Sequence, residues 1–438
     1  MIGVLELASR VKYGFTSRKS PMYLFRPLDQ KHGLCIVGCR QISTTNVLAL
    51  VKVETGKSTG AELPRGNLEK SVGNCGDFTA EQEALIHQYS AGTWKNEHII
   101  PPKIERPLLK GISINVDPPG CRDIDDVFTF GDDGYFYITI ADVSEWMKAN
   151  PHLWNKANRI AQTMYRDGHI VRPMLPLECS LDPGKERLGV SLRCKITDKV
   201  EDVSFLKTKI INNTSYTYEE IAKSWHADRL KNIAKILGKD TNDPHEWIAQ
   251  CMIFYNVEAA KVLVQHNKGL LRAHESPDLE KFETYKKLGL EFLSFKSAVY
   301  TTDMDATHWS FNTKYCHSTS PIRRFADIVN QFVLKGEEYP TFNVEMLNER
   351  TKDMKNYERD SFFLDQLQSD TRQVKGIVLN DHRIWVPIWN RIITCKNTSE
   401  EGVSGTLYYS LDMKQSTWKR RMVFRFEDTK NQEQQIHE

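Results

Sequence analysis

The chain has no closely spaced cysteine pair of the kind that builds a zinc knuckle or a dithiol redox motif. Its nine cysteines, an odd number scattered singly, fit reduced thiols rather than a disulfide framework. It has no apolar run approaching the length of a membrane-spanning helix, so no membrane partner is expected. It has little net charge: 59 Lys and Arg against 57 Asp and Glu leave +2, too little to identify a polyanion partner. Any nucleic-acid case must therefore rest on local patches. The start places Glu6 inside a short apolar run and has no basic lead-in, which is not the pattern of a secretory signal. There is no internal repeat beyond a likeness between the two ends. Together these absences give the expectation of an intracellular, cytoplasmic protein with no small organic cofactor and no identifiable protein partner. What remains, 438 residues with 40% hydrophobic and 26% charged, is a globular composition long enough for two or three domains.

One stretch stands out against this background. Asp117-Pro-Pro-Gly-Cys-Arg-Asp123-Ile-Asp125-Asp126 puts four carboxylates into one short segment between two strand-like runs, Gly111 to Val116 and about Ile124 to Phe130. A hairpin at Gly131-Asp-Asp-Gly134 and a return over Tyr135 to Ala141 put the carboxylates at strand ends. Carboxylates this close repel, so either solvent screens them in an open acidic turn or a cation neutralises them. Oxygen-only ligands select a hard cation, Mg²⁺ or Mn²⁺ ahead of zinc. Ca²⁺ in an EF-hand is excluded by Pro118 and Pro119, which stand where that loop bends.

A second constellation is His317-Ser-Thr-Ser320-Pro321-Ile-Arg323-Arg324-Phe325. Ser320 and Pro321 predict a helix start, with Ile322, Phe325, Ala326, Val329 and Val333 on one face and both arginines in the first turn. Cations at the positive end of a helix cost a few tenths of a kcal/mol unless an anion docks there. The alternative is that Asp327, one turn on, pairs with them. Acidic site and arginine-bearing helix together suggest phosphoryl chemistry.

The rest of the chain places these motifs. Short strands with turns up to about Glu54 predict a small barrel of OB type, and Thr79 to Tyr89 a helix. Asn150-Pro151 predicts a helix ending near Tyr165, and Asp243-Pro244 another through about Gln265. Pro277-Asp278 opens one more helix, and a long one runs from about Asn343 towards Thr371. Five strand-like runs from Val374 to Phe426 predict a second OB-like barrel, a fold used to hold oligonucleotides. The expected domains are 1–100, 105–372 and 373–428, followed by a polar tail over 429–438, and the expected class is α+β.

The Asp117–Asp126 segment resembles the acidic signature of the ribonuclease II and ribonuclease R (RNB) family. Tyr315-Cys-His317-Ser-Thr-Ser320-Pro-Ile-Arg323-Arg324-Phe-Ala-Asp327 resembles its second signature. Ile140-Ala-Asp142-Val-Ser144 and Leu271-Arg-Ala-His274-Glu-Ser-Pro277-Asp278 are similar to further family segments. The resemblance, over about 105 to 372, implies an RNB-type catalytic domain flanked by small OB-like barrels. It also implies Mg²⁺-dependent 3′-5′ hydrolysis of single-stranded RNA to nucleoside 5′-monophosphates. It makes Asp117, Asp123, Asp125 and Asp126 metal-centre carboxylates, with Asp125 and Asp126 catalytic. Arg323, beside Arg324, becomes the phosphate contact, Tyr165 the stack for the 3′-terminal base, and Glu358 on the long helix a catalytic-site glutamate. His274 and His317 are expected to be structural hydrogen-bonders.

The sequence departs from the pattern where the family carries a His and a basic residue, which here are Gln331 and Phe332, and at Lys268, where a second stacking aromatic is expected. One N-terminal barrel stands where many members have two, so the resemblance is to a compact member. Two other readings remain: a catalytically silent RNA-binding protein of the same fold, and a metal-dependent DNA exonuclease.

Overall fold

A computed structural model describes residues 1–54, 63–91, 98–397 and 399–428. The expected polar tail lies outside them. The chain forms two compact units: Met1–Gly92 with Lys355–Glu438, and Thr93–Met354.

The first unit begins with β1 (Ile2–Leu5), β2 (Met22–Pro27), β3 (Cys35–Gly38), β4 (Val47–Val53) and β5 (Arg65–Asn74). They close into a barrel in the order β1-β2-β3-β5-β4, with β4 returning to β1. Alternate apolar residues, among them Leu5, Phe25, Val37, Ala49 and Val51, fill its interior. The helix α1 (Phe78–Tyr89) starts at Asp77, whose carboxylate accepts the Ala80 N–H at 2.7 Å. Its Ala80 and Ala84 pack on Ile2, Val4 and Leu48. Gly73 permits this approach, because a Cβ there would lie 2.6 Å from that of Ala80.

The second unit is built on a sheet of β6 (Gly111–Val116), β7 (Asp126–Gly131), β8 (Phe136–Ala141), β11 (Glu186–Ile196), β12 (Val200–Ile211) and β13 (Thr214–Tyr216). The order is β12-β11-β8-β7-β6-β13, antiparallel except for β13 on β6. Between β8 and β11 come α2 (Val143–Ala149), α3 (His152–Ile160), β9 (Met164–Arg166) and β10 (His169–Arg172). After the sheet follow α4 (Tyr218–Ala222), α5 (Ala227–Ile236), α6 (Pro244–His266), β14 (Leu271–Ala273), α7 (Leu279–Lys286), β15 (Val299–Thr301) and α8 (Phe325–Leu334). Leu230, Ile233, Trp247, Tyr255, Leu263 and Val333 from α5, α6 and α8 share one core with Ile114, Phe128, Ile138, Ile140 and Leu192 of the sheet. Asp243 and Pro244 start α6 as the sequence predicts, and Asn267 ends it in the left-handed region.

The helix α9 (Val344–Gln366) is divided between the units. The first unit then resumes with β16 (Gln373–Asn380), β17 (Arg383–Val386), β18 (Arg391–Thr394), β19 (Ser404–Leu411), α10 (Trp418–Arg421) and β20 (Met422–Asp428). The strands fall where the apolar runs predict them, in the order β18-β17-β16-β19-β20, and the sheet stays open rather than closing as a barrel. Within this unit a buried Glu81–Arg421 pair at 2.6 Å and the bonds from Tyr89 Oη and Lys419 Nζ to Asp360 join the two ends of the chain. The class is α+β, and no helix among the described residues is long and apolar enough to cross a membrane.

Two helix boundaries differ from expectation, for one shared reason. The helix predicted to reach Tyr165 stops at Ile160, and the one predicted from Ser320 starts at Phe325. The Phe325 N–H donates to Ala161 O at 2.9 Å and the Thr163 N–H to Arg323 O at 3.0 Å. This short antiparallel contact takes backbone groups that a further helical turn would use. Ala161 turns into positive φ at 64°, and Tyr165 emerges on β9.

Candidate active site

The four aspartates are delivered by the ends of β6 and β7. Asp117 follows β6, its N–H held by Tyr216 O and its carboxylate by Asn115 Nδ2 at 2.8 Å. Pro118, Pro119 and Gly120, the last at φ 78°, turn the chain back. The Ser180 hydroxyl accepts the Ile124 N–H at 3.0 Å and pins the return. Asp126 opens β7 opposite Ile140, and the Ala141 N–H donates to Asp125 O at 2.9 Å.

The structure brings Arg323 and Tyr165 to these carboxylates. Asp125 accepts the Ile322 N–H on Oδ1 at 2.9 Å, and the Arg323 Nε lies 3.3 Å from its Oδ2. Arg323 also donates to Ser320 Oγ at 2.9 Å. The Tyr165 hydroxyl donates to Asp123. Arg324 points elsewhere: it makes a two-pronged pair with Asp327, at 3.0 and 2.7 Å, and Asp327 also accepts the Ser320 N–H. Of the two sequence alternatives, pairing with Asp327 holds for Arg324, while Arg323 lies against Asp125 instead. Glu358 is exposed on α9, in the first unit, whereas the aspartates belong to the second. His317 bonds Tyr300 Oη and His274 bonds Lys296 O, as expected of structural histidines. Lys268 is exposed and pairs with Glu338.

Burial sets the electrostatics. It pushes Asp125 up to about 8, against the opposing pull of Arg323 and the Ile322 N–H. Burial and then the charges of Asp117 and Asp125 raise Asp126 well above the usual carboxylate range. Asp117 is raised mainly by burial as well. Asp126 Oδ2 is buried and has no hydrogen-bond partner among the described residues. An unpaired anionic oxygen among carboxylates that favour protonation is a place where a cation lowers the energy. All four donors are oxygens, which suits a hard divalent ion. Among the described residues no three such side chains already converge as a ligand cage, because Asp123 and Asp125 are turned to Tyr165 and Arg323.

Asn115, Ser180 and Tyr218 escaped the sequence reading, and Ser320 entered it as a helix cap rather than as a partner of Arg323. The phenol of Tyr218 is pushed up to about 12 by burial and by Asp117 and Asp126. Asn115 and Ser180 are short polar residues outside the signatures, and only the fold shows that they hold Asp117 and Ile124.

The described residues thus set an acidic strand-end loop beside an arginine in an α+β unit, on a chain that also carries a closed five-stranded barrel. A family profile described as RNB domain matches residues 106–229. Ribonuclease R of Buchnera aphidicola is 25% identical over 339 residues, 54% of this chain and 46% of that protein. Mycoplasma genitalium RNase R in complex with double-stranded RNA superposes with a TM-score of 0.71 at 15% identity, over 97% of this chain and 95% of that one. Yeast Ssd1, a pseudonuclease, superposes at 0.64 and 13% identity, over 93% and 67%. Over residues 106–229 the chain is thus similar to the RNB domain family. It spans about half the length of the curated relatives it matches.

Proposed function

We propose that the chain is a divalent-metal-dependent 3′-5′ exoribonuclease that hydrolyses single-stranded RNA to nucleoside 5′-monophosphates. The observation that carries this is the buried, unpartnered Oδ2 of Asp126 within the aspartate cluster, with Arg323 beside it. Asp117, Asp123, Asp125 and Asp126 would hold Mg²⁺, with Mn²⁺ the alternative; the ion's chemistry there is to activate water and offset charge on the phosphate. Arg323, with its Nη1 free of any described partner, stabilises the charge that builds on the phosphate oxygens. Arg324, held by Asp327, keeps the turn that aims it. Tyr165 stacks the terminal base and its hydroxyl fixes Asp123.

The first unit supplies a surface suited to a single strand. From Leu7 to Val53 the one acid is Asp29, against Arg10, Lys12, Arg18, Lys19, Arg26, Lys31, Arg40 and Lys52. The β1–β2 segment exposes Val11, Tyr13 and Phe15, and Arg40 braces it through Ser20 Oγ and Arg18 O. Arg26 is paired with Glu6, and aromatic faces among the remaining cations favour bases and phosphates together. Changing Arg10, Arg18 and Lys19 to Ala is expected to weaken binding to oligonucleotides of every sequence. The slope of log affinity against log salt should flatten by about 2, at ~0.7 per phosphate contact on a single strand. Fluorescence anisotropy over a salt series measures it, and an unchanged slope removes this surface from the RNA path.

The activity test is end-labelled RNA incubated with Mg²⁺ and with EDTA. Mononucleotides should appear with Mg²⁺ and not with EDTA, and a DNA strand of the same sequence should be cut poorly. A second reading, a silent RNA-binding protein, has the pseudonuclease neighbour in its favour. No mononucleotide release with any divalent ion would establish it in place of the first, and equal cutting of DNA would point to a DNA exonuclease.

A further inference from the structure

Gln331 stands on α8 with no exposed surface, and the hydrolytic reading gives it no task. Its Nε2 donates to Ala141 O at 2.6 Å. Its Oε1 accepts the Val143 N–H at 3.1 Å and the Ser144 N–H at 3.3 Å, the first two residues of α2. Ala141 is the last residue of β8, and its own N–H is the one that donates to Asp125 O. Asp125 is thus approached from two sides. Its backbone is tied through Ala141 to Gln331, and its carboxylate is tied to Ile322 and Arg323, which immediately precede α8.

These contacts close a ring: Asp125, Ala141, Gln331, the body of α8, Arg323, and back to Asp125. A primary amide suits the junction because it carries donors and an acceptor in one rigid plane. A carboxylate has no proton to give Ala141 O, and a hydrocarbon would leave three buried backbone groups unsatisfied.

We infer that Gln331 is a positioning residue that fixes the separation between the Asp125–Asp126 strand end and Arg323. It touches neither substrate nor any reacting atom. The inference rests on the hydrolytic reading above for its effect on turnover, but the clamp itself is a structural claim with its own readout.

The test compares Gln331→Met with Phe332→Leu. Phe332 is also buried, packs edge-on against Trp154 at 5.8 Å, and its ring has no hydrogen bond to give the β8 end, so it controls for general destabilisation. Turnover is counted per molecule able to bind RNA, from stoichiometric titration in EDTA, and amide hydrogen exchange is read at Ala141 and Val143. Q331M should lose about 10-fold or more in kcat with KM within about twofold, as expected when reacting groups are misplaced rather than lost. Its Ala141 and Val143 amides should exchange faster. F332L should keep both wild-type kcat per competent molecule and wild-type exchange at those amides. Wild-type kcat in Q331M, or an equal loss in F332L, overturns the inference while leaving the hydrolytic reading in place. Absence of turnover in the wild-type protein overturns that reading instead, and the exchange comparison then decides on the clamp alone. If Q331M does not fold, Q331H, which keeps one donor and one acceptor, is put through the same measurements.

Discussion

Asp126→Asn is expected to lower the turnover of single-stranded RNA by at least about 100-fold, the scale on which removal of one transition-state charge partner acts. RNA affinity in EDTA should hold or tighten, because a negative charge leaves the place where a phosphate lies. The substitution changes charge and almost nothing else in volume, so packing around β7 is preserved. A second, opposite effect follows from burial. Asp126 has its folded pKa raised well above the ordinary value by burial and by Asp117 and Asp125. A carboxylate raised in this way disfavours the folded state at pH values above its unfolded pKa, and the penalty is relieved as pH falls through the folded one. In EDTA at neutral pH the variant should therefore melt higher than the wild-type protein. The gain should shrink with acidification. Single-turnover kinetics with Mg²⁺ and melting curves in EDTA at pH 5 and 7.5 measure the two effects. Full activity in D126N would sink the metal assignment, and a lower melting temperature would show that the carboxylate has a partner that the buried, unpaired Oδ2 denies.

The contrast between what was legible in the sequence and what was not has a local physical basis. The strands around the four aspartates follow from alternation and from Gly134, because side-chain period and turn chemistry act within a few residues. The same locality gives α6 from Asp243-Pro244, whereas Arg323 and Tyr165, which the resemblance implies as a phosphate contact and a base stack, lie against Asp125 and Asp123. The end of α3 and the start of α8 depart from local helix preference because a contact between residues 161–163 and 323–325, distant in sequence, outweighs it. Gln331 looked like a mere departure from a pattern. Its role depends on Ala141 and Val143, and no window of neighbouring residues contains both sides of that contact.

The buried charges behind α2 were invisible for the same reason, and they support the largest expected change in stability. Lys335, with its side chain fully buried, lies 2.5 Å from Glu145 Oε1 and 3.2 Å from Asp142 Oδ2. Arg106 reaches the same two oxygens at 2.7 and 2.8 Å. Two buried carboxylates thus face two buried cations. Burial raises the Asp142 pKa, but Lys335 and Arg106 outweigh it and hold the group below its usual value. Lys335→Met leaves Arg106 as the buried cation for the two carboxylates, with Lys148, partly exposed, 2.8 Å from Glu145 Oε2, and breaking a buried pair from one side costs about 3 kcal/mol or more. A urea midpoint for the second unit should fall accordingly. The pH dependence has a definite sign. A carboxylate with a depressed folded pKa contributes stability that is complete above its unfolded pKa and lost as pH falls through the folded one. Asp142 does so in the wild-type protein, as does Glu337, held down to about 2 where Lys335, Lys207 and Lys148 outweigh its partial burial. Without Lys335 both contributions shrink, so the deficit of K335M should be greatest near neutrality and diminish below about pH 4. Adding Glu145→Gln to K335M should restore part of the loss, although the same change alone destabilises. A double-mutant cycle that gives strictly additive losses would show that Lys335 and Glu145 are not coupled through this cluster.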